Sequence, residues 1–453
     1  MTRLEPSDEL SEFSALLLRA SEQNEGIDPD DPERIARRRR RRRKGRIVAL
    51  VATAVVLALV GTYVLLALTA PVGAARAAIH PPGVPHPAAA AIVLPQFGEA
   101  AVSVAGADDY LGPSASGVFA SRGGNAPLPM ASISKLITAM VVLDAKPLGA
   151  SGTGPRITFG KADAALYDKY YLLDATIAAM PAGSSMSEHD ALETMLVVSA
   201  CNYAEAISDW AFGSNGAFLA ATNRWLAAHG LTGTTMVEPT GIDARNTSTP
   251  SDLIALGTLA MTDPAIVSIV SKTSLDVPSL AGMPNTNDIL GVDGVDGIKT
   301  GTLNDNFSNL LFSAEITVGV PVPLRVVGVM LGAPDRPSVD AAVHALIGSI
   351  ASGFHDDTLA TQGDAVGSYS TPWGSTARIV LADDASVTTW SSTPITSRMK
   401  TVTLTTGADG TKVGSVTWTA GTKTVTVPLV LHGRIQPPTA WWRLTHPFEL
   451  AGR

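Results

Sequence analysis

Residues 47–70, IVALVATAVVLALVGTYVLLALTA, carry no charge and follow directly on Arg37 to Arg43, Lys44 and Arg46. Roughly 20 apolar residues in a helix cross the hydrocarbon core of a bilayer. The basic flank stays in the cytoplasm, so everything after residue 70 is expected outside. Two other readings compete. An arginine run can bind nucleic acid, but its place against an apolar span makes it a topology signal. Ala74, Ala75, Ala77 and Ala78 would suit a cleaved signal peptide. The apolar run is longer than a signal core of about 7–15 residues, so an uncleaved anchor is expected.

The span divides the chain. Residues 1–46 read as a cytoplasmic tail; its stretch 1–36 is polar and poor in aromatics, which predicts disorder. Of the 33 Lys/Arg and 41 Asp/Glu, 12 and 10 lie in residues 1–46, leaving 21 basic against 31 acidic outside. An acidic exterior argues against a nucleic-acid partner. Residues 71–90 are dominated by Pro, Ala and Gly and read as an extended spacer holding the body off the membrane. One cysteine, Cys201, excludes an internal disulfide. The eight histidines show no metal-binding spacing, so no metal and no organic cofactor is expected.

From residue 91 the pattern is globular. Short apolar runs at 91–94, 101–104 and 117–120 predict strands. Ile133, Leu136, Ile137, Met140 and Val141 predict a helix from about Ser132, and 188–211 predicts another. Strands are expected at 308–318 and 324–331, and a helix at 340–350. From about Gly367, Thr, Val, Ser and Gly dominate in alternating runs such as 400–405, 415–419 and 423–430. Domains are therefore expected at 91–355, as an α/β sheet flanked by helices, and at 367–450, as a small all-β module. Five tryptophans there (373, 390, 418, 441 and 442) could suggest sugar binding, but core and hairpin packing is the commoner use.

Three short motifs carry chemistry. They are Ser132-Ile133-Ser134-Lys135, Ser199-Ala200-Cys201-Asn202 and Lys299-Thr300-Gly301-Thr302. Serine needs a base to become nucleophilic. Ser132 and Lys135 share a helix face, and a helix start stabilises negative charge. Lys135 can serve as base only when neutral, which burial and a second cation would promote. Ser134 faces elsewhere. A lone Ser-x-x-Lys is more often a helix cap with a surface lysine. The three motifs in this order make a stronger signal, since that is the layout of penicillin-recognising serine hydrolases.

The stretch PLPMASISKLITAM resembles the first motif of the D-alanyl-D-alanine carboxypeptidases of the serine peptidase S11 type, the low-molecular-weight penicillin-binding proteins. ALETMLVVSACNYAEA, GLTGTTMVEPTGID with NTSTPSDL, NTNDILGVDGVDGIKTGT and RVVGVMLG extend the likeness over roughly 91–355. The resemblance implies a serine β-lactamase/transpeptidase-like fold and release of terminal D-Ala from peptidoglycan stem peptides, with β-lactams as inhibitors. It implies attack by Ser132, proton acceptance by Lys135 and a relay through Ser199. Lys299, Thr300 and Arg325 would hold the substrate carboxylate. Gly301 would admit the extended substrate, and the Ser132 and Thr302 N–H groups would form the oxyanion hole.

The second motif departs from the family's Ser-x-Asn. Cys201 stands at the third position and Asn202 follows, so either Asn202 reaches in through a shifted turn or the substrate amide is held less well. A thiol is a weak hydrogen-bonding group. Cys201 could equally be a small core residue, and a reactive thiol would need a base that the sequence does not place beside it. Two alternatives to the carboxypeptidase remain. A β-lactamase needs a water-activating group, for which Glu238 is a poor fit in VEPTGID. A muropeptide sensor or scaffold draws its support from the altered second motif.

Overall fold

The computed structural model describes residues 8–22, 32–149, 152–304 and 306–450. Its larger domain is built on five antiparallel strands. Their spatial order is Ala120–Arg122, Glu99–Ala105, Leu324–Ala333, Ser308–Ile316 and Val295–Thr302. The inner strands are apolar almost throughout because helices cover both faces of the sheet. On one face the helices Ser134–Ala145, Glu188–Val197, Cys201–Phe212 and Pro250–Ala260 bring Leu136, Ile137, Leu192 and Leu253 against Leu311, Val327 and Val329. On the other, Arg336–Ala351 lays Val339, Val343, Leu346 and Ile350 on Val102, Phe312, Val326 and Met330.

The second domain is a six-stranded antiparallel sheet. Its order is Arg76–Ile79, Ala365–Ser370, Thr376–Leu381, Lys423–His432, Lys412–Ala420 and Ile395–Thr401. The pair Phe354–Ala360 and Ala385–Trp390 completes it, so this module begins before residue 367. Tyr369, Ile379, Val416, Trp418 and Leu429 fill its core. The aromatics divide among packing roles. Trp418 is buried, Trp390 meets Phe119 and Phe354 at the domain boundary, and Trp373 packs edge-on against Trp442. No strip of sugar-stacking rings forms from these five among the described residues.

Several expectations need correction. Residues 91–94 form no strand; Ile92 and Leu94 pack on the second core while the Val93 N–H donates to Ser349 Oγ at 3.0 Å, so packing and a side chain replace a ladder. The 117–120 strand lies instead at Ala120–Arg122. Residues 71–90 are not a free spacer. Arg76–Ile79 pairs along Gly367–Ser370 and Ala75 enters the β core, which covers an edge that would otherwise expose unpaired N–H and C=O groups. In the tail, Asp8–Glu22 is a helix, and the arginine run belongs to one continuous helix, Pro32–Thr69. Arg, Leu, Ala and Glu are strong helix formers, and an apolar helix already nucleated propagates cheaply into the basic run. The helix expected at 188–211 is broken at 198–200, and that break carries the second motif.

Candidate active site

Ser132 lies in a single 3-10 turn, Ala131–Ile133, that leads into the helix Ser134–Ala145. Ala131 has φ +50°, a conformation costly for a residue with a Cβ. Neighbouring chain holds it there. Met130 N–H donates to Asn246 O at 2.9 Å, and Asn309 Nδ2 donates to Pro129 O at 3.1 Å. Gly241 (φ +85°) approaches so closely that a Cβ there would stand 1.9 Å from Ala131 O. The loop 238–246 is itself tied by Glu238. Its carboxylate accepts from Thr240 N and Gly241 N, both at 2.6 Å, and from Asn246 Nδ2 at 3.0 Å.

That loop sets the surroundings of Lys135. The Lys135 ammonium is fully buried and points at three acceptors: Thr240 O at 2.7 Å, Ser132 Oγ at 2.9 Å and Cys201 Sγ at 3.3 Å. Burial confines the amine to the Ser132 side of the helix. Ser134 faces away and accepts from Asn246 Nδ2 at 3.2 Å.

Ser199 sits between the helices Glu188–Val197 and Cys201–Phe212 with φ +68°, again the left-handed region in a residue that carries a Cβ. The break brings Cys201 Sγ to Lys135. Asn202 goes elsewhere. Its carboxamide spans Ala178, accepting from the N–H at 3.2 Å and donating to the carbonyl at 2.8 Å. The reading in which Asn202 substitutes for the missing motif asparagine is therefore corrected: its hydrogen-bonding groups are spent on a neighbouring stretch of backbone.

The third motif occupies the outer edge of the sheet, on Val295–Thr302. Lys299 is buried, and Nζ donates to Thr300 O at 3.2 Å and Thr286 Oγ1 at 3.5 Å. Burial first, then Lys135 and Arg336, push the Lys299 ammonium well below its ordinary range. Thr300 Oγ1 shares a 2.6 Å hydrogen bond with Thr286 Oγ1. Gly301 is required by the neighbouring main chain: a Cβ would stand 2.7 Å from Met130 O and 3.3 Å from Ser132 N. Thr302 follows it, exposed at the end of the strand.

Arg325 is not at this site. Thr300 pairs with Leu310 and Leu310 with Met330, so Arg325 lies two strands over and five residues further along, a displacement of roughly 17 Å down the strand direction alone. Its guanidinium is engaged by Asp296 and by Glu315 at 2.9 Å. Arg336 is the arginine that approaches the third motif, and its Nη1 also stands 3.9 Å from Asp288 Oδ2. It begins the helix Arg336–Ala351, donates to Thr286 O at 3.3 Å and acts electrostatically on Lys299. A cation in the first turn opposes the helix dipole. That unfavourable placement, behind Asp335 as cap and ahead of Pro337, was the signal available in the sequence.

For metals, His189, Asp190 and Glu193 bring three ligand atoms within 4.8 Å of one another. Glu193 already accepts from Lys272 Nζ and Asp276 N, both at 2.7 Å, which makes the trio part of a compensated charge cluster. It begins at the opposite end of the helix Glu188–Val197 from Ser199.

Residues 113–334 match the model of the family described as D-alanyl-D-alanine carboxypeptidase, peptidase S11. The chain is 29% identical over 219 residues to the D-alanyl-D-alanine carboxypeptidase DacC of Escherichia coli, covering 48% of this chain and 53% of that one. It is 32% identical over 146 residues to a D-alanyl-D-alanine endopeptidase of Pseudomonas aeruginosa, covering 31% and 42%. The chain thus spans about half the length of the curated relatives it matches. Penicillin binding protein 6B from Escherichia coli shares the fold, with a TM-score of 0.51 at 19% identity, over 78% of this chain and all of that one. Penicillin binding protein 5 from Haemophilus influenzae does so with a TM-score of 0.50, also at 19% identity, over 78% and 99%. Through the domain that carries the three motifs, this chain belongs to the peptidase S11 family.

Proposed function

We propose that the chain is a membrane-anchored serine D-Ala-D-Ala carboxypeptidase that trims peptidoglycan stem peptides outside the cell membrane. The observation that carries this reading is the 2.9 Å contact between Ser132 Oγ and a fully buried Lys135, beside a second buried lysine. In this reading Ser132 attacks the carbonyl of the penultimate D-Ala and Lys135 takes its proton. Ser199 relays that proton to the leaving amine. Ser132 N–H and Thr302 N–H receive the developing oxyanion. Lys299, Thr300 and Arg336 attract the terminal carboxylate. Water then cleaves the acyl-enzyme.

The helix Pro32–Thr69 is long and apolar enough to cross a membrane. With the arginine run on its N-terminal side, we read it as the anchor, with the N-terminus cytoplasmic. Glu238 gives no support to a β-lactamase, because its carboxylate is saturated by backbone N–H groups and Asn246. Two of the relatives are named endopeptidases, which makes cross-linked peptide a second substrate to assay. D-Ala release together with covalent β-lactam labelling supports the proposal. Labelling without release favours a sensor, rapid β-lactam destruction favours a β-lactamase, and cleavage confined to cross-linked peptide favours an endopeptidase.

Three substitutions probe substrate holding. Arg336→Ala raises KM for a peptide ending in a free carboxylate by about 10-fold, the scale of one charge-assisted hydrogen bond, while Arg325→Ala leaves KM unchanged. Steady-state kinetics on one stem peptide decide between the two arginines. Cys201→Asn supplies a carboxamide that can bond the substrate amide where the thiol bonds it weakly. D-Ala release is expected to rise about 5- to 10-fold, for roughly 1 kcal/mol of hydrogen bonding. No change or a fall would refute that account of the cysteine.

A further inference from the structure

The solvent face of the six-stranded sheet carries charge of one sign. Strand residues alternate between core and solvent. Tyr369, Ile379, Trp418 and Leu429 fill the β core, so the positions between them face out. The register sets Arg76 opposite Ser370, Arg378 opposite His432 and Lys412 opposite Val430 on that outer face. Lys400 lies opposite Ser415 and Arg398 opposite Thr417 on the same side. All six basic residues are exposed. No Asp or Glu occurs on any of the six strands. None of the six basic side chains has an ion pair or hydrogen bond among the described residues. At the rim, the Asp409 carboxylate is taken by the Gly433 N–H at 2.7 Å. The part of the chain after residue 46 is acidic on balance, so this face is a local inversion of charge.

Lysine and arginine on an edge strand often serve only to block edge-to-edge pairing. That accounts for Arg76, Arg398 and Lys400, because Arg76–Ile79 and Ile395–Thr401 are the two edges. It does not account for Arg378, His432 and Lys412, which stand on inner strands. Followed through the register, the cations run diagonally from Arg76 through Arg378 and Lys412 to Lys400 and Arg398. Five strand spacings make that stripe roughly 24 Å wide across the sheet. Hydroxyl groups lie beside it. Thr396, Ser415, Thr417 and Thr419 line a cavity of about 420 Å³ together with Arg398 and Lys400. None of the outward-facing residues on these strands is a large exposed apolar side chain. A face with cations and no carboxylates complements a polymer whose charges are all negative, better than a peptide of mixed charge. Arginine forks and serine or threonine hydroxyls are the groups that donate to phosphate oxygens. Without apolar anchors the face is poorly suited to a bilayer, where binding strength scales with buried apolar area.

We propose that this sheet face docks an anionic polysaccharide of the cell wall, a chain of sugar or polyol units joined by phosphodiesters. The proposal rests on the reading that the β domain lies outside the membrane, and not on the peptidase chemistry. Its test is amine-reactive footprinting of the full chain in neutral detergent, with and without poly(glycerol phosphate). Lys400 and Lys412 are expected to react about 5-fold more slowly when the polymer is present, and the exposed Lys161 of the other domain at an unchanged rate. Reading single lysines keeps this face apart from the arginine run at 37–43. Raising salt from about 50 to about 200 mM removes the protection, because cations seated on phosphates displace counterions. The double variant Arg378→Ala, Arg398→Ala binds the polymer about 10-fold more weakly with Tm unchanged, since both side chains are exposed. Lysines that react alike with and without the polymer overturn the proposal. Equal protection by polygalacturonate, a carboxylate polymer, overturns it as well. Protection by anionic phospholipid in the micelle, and none by the polymer, assigns the face to a membrane and overturns it too. Protection in a protein that releases no D-Ala supports the docking face and counts against the proposed function alone.

Discussion

Ser132→Ala is expected to fold normally, form no covalent adduct with a β-lactam and lose D-Ala release by about 10⁶-fold, the scale of deleting a serine nucleophile. The fold is spared because Ser132 is only half-buried and its hydroxyl makes one contact, to Lys135. Activity is not spared, because the other groups nearby are placed for other tasks. Ser134 is turned to Asn246, and Ser199 sits on the turn beyond Lys135. Cys201 is the serious competitor, since its sulfur is 3.3 Å from the same amine. Intact-mass measurement after incubation with a β-lactam decides the matter. A full adduct on the variant, mapped to Cys201, would falsify Ser132 as the nucleophile.

Lys299→Met is expected to abolish most activity while raising stability. Lys299 is buried beside Lys135 and Arg336, and its ammonium is pushed well below the ordinary lysine range. The folded protein therefore holds that proton less tightly than the unfolded chain, whose lysine keeps an ordinary value near 10.4. Between the depressed value and the ordinary one, the unfolded state binds more protons, so wild-type stability rises with pH across that window. Methionine fills the space without the charge. The gain in Tm is thus largest below the depressed value and shrinks as pH approaches about 10. Each kcal/mol relieved is worth about 2–4 °C in a domain of this size. Loss of the cation facing the substrate carboxylate costs on the order of 10²–10³ in kcat/KM. Thermal scans from about pH 6 to pH 10 on both proteins test the sign. A variant less stable than wild type at low pH would show that Lys299 has an anionic partner outweighing its two cationic neighbours.

Strong periodic runs are legible in the sequence. The three inner strands of the large sheet, the helix after Ser132, the helix within 340–350 and the tail strands over 415–419 and 423–430 lie where their patterns place them, while the run at 400–405 is replaced by Ile395–Thr401. Misplaced elements share a cause, which is that a distant part of the chain decides their conformation. Residues 91–94 read as a strand by composition, yet Ser349 takes the Val93 N–H. Residues 188–211 read as one helix, since nothing local marks Ser199 as a break; Lys135, Thr176 and Ala178 hold the turn from outside. Arg325 reads as a carboxylate-binding cation on a motif-flanking strand, but the antiparallel register carries it to the far end, and Arg336 arrives through a helix start.

By itself the sequence singled out a serine and two lysines as the candidates for the chemistry, because their types and order express reactivity, which is local to each side chain. It also determined that the apolar run would be a long helix, because hydrophobicity and helix propensity are sums over neighbours. Only the tertiary structure decided which groups surround the amine of Lys135, that Asn202 turns away from it, and that residues 63–70 meet Arg443 and Leu444. Those outcomes depend on contacts between residues up to several hundred positions apart. Packing of whole elements fixes such contacts, and no short stretch of sequence records them.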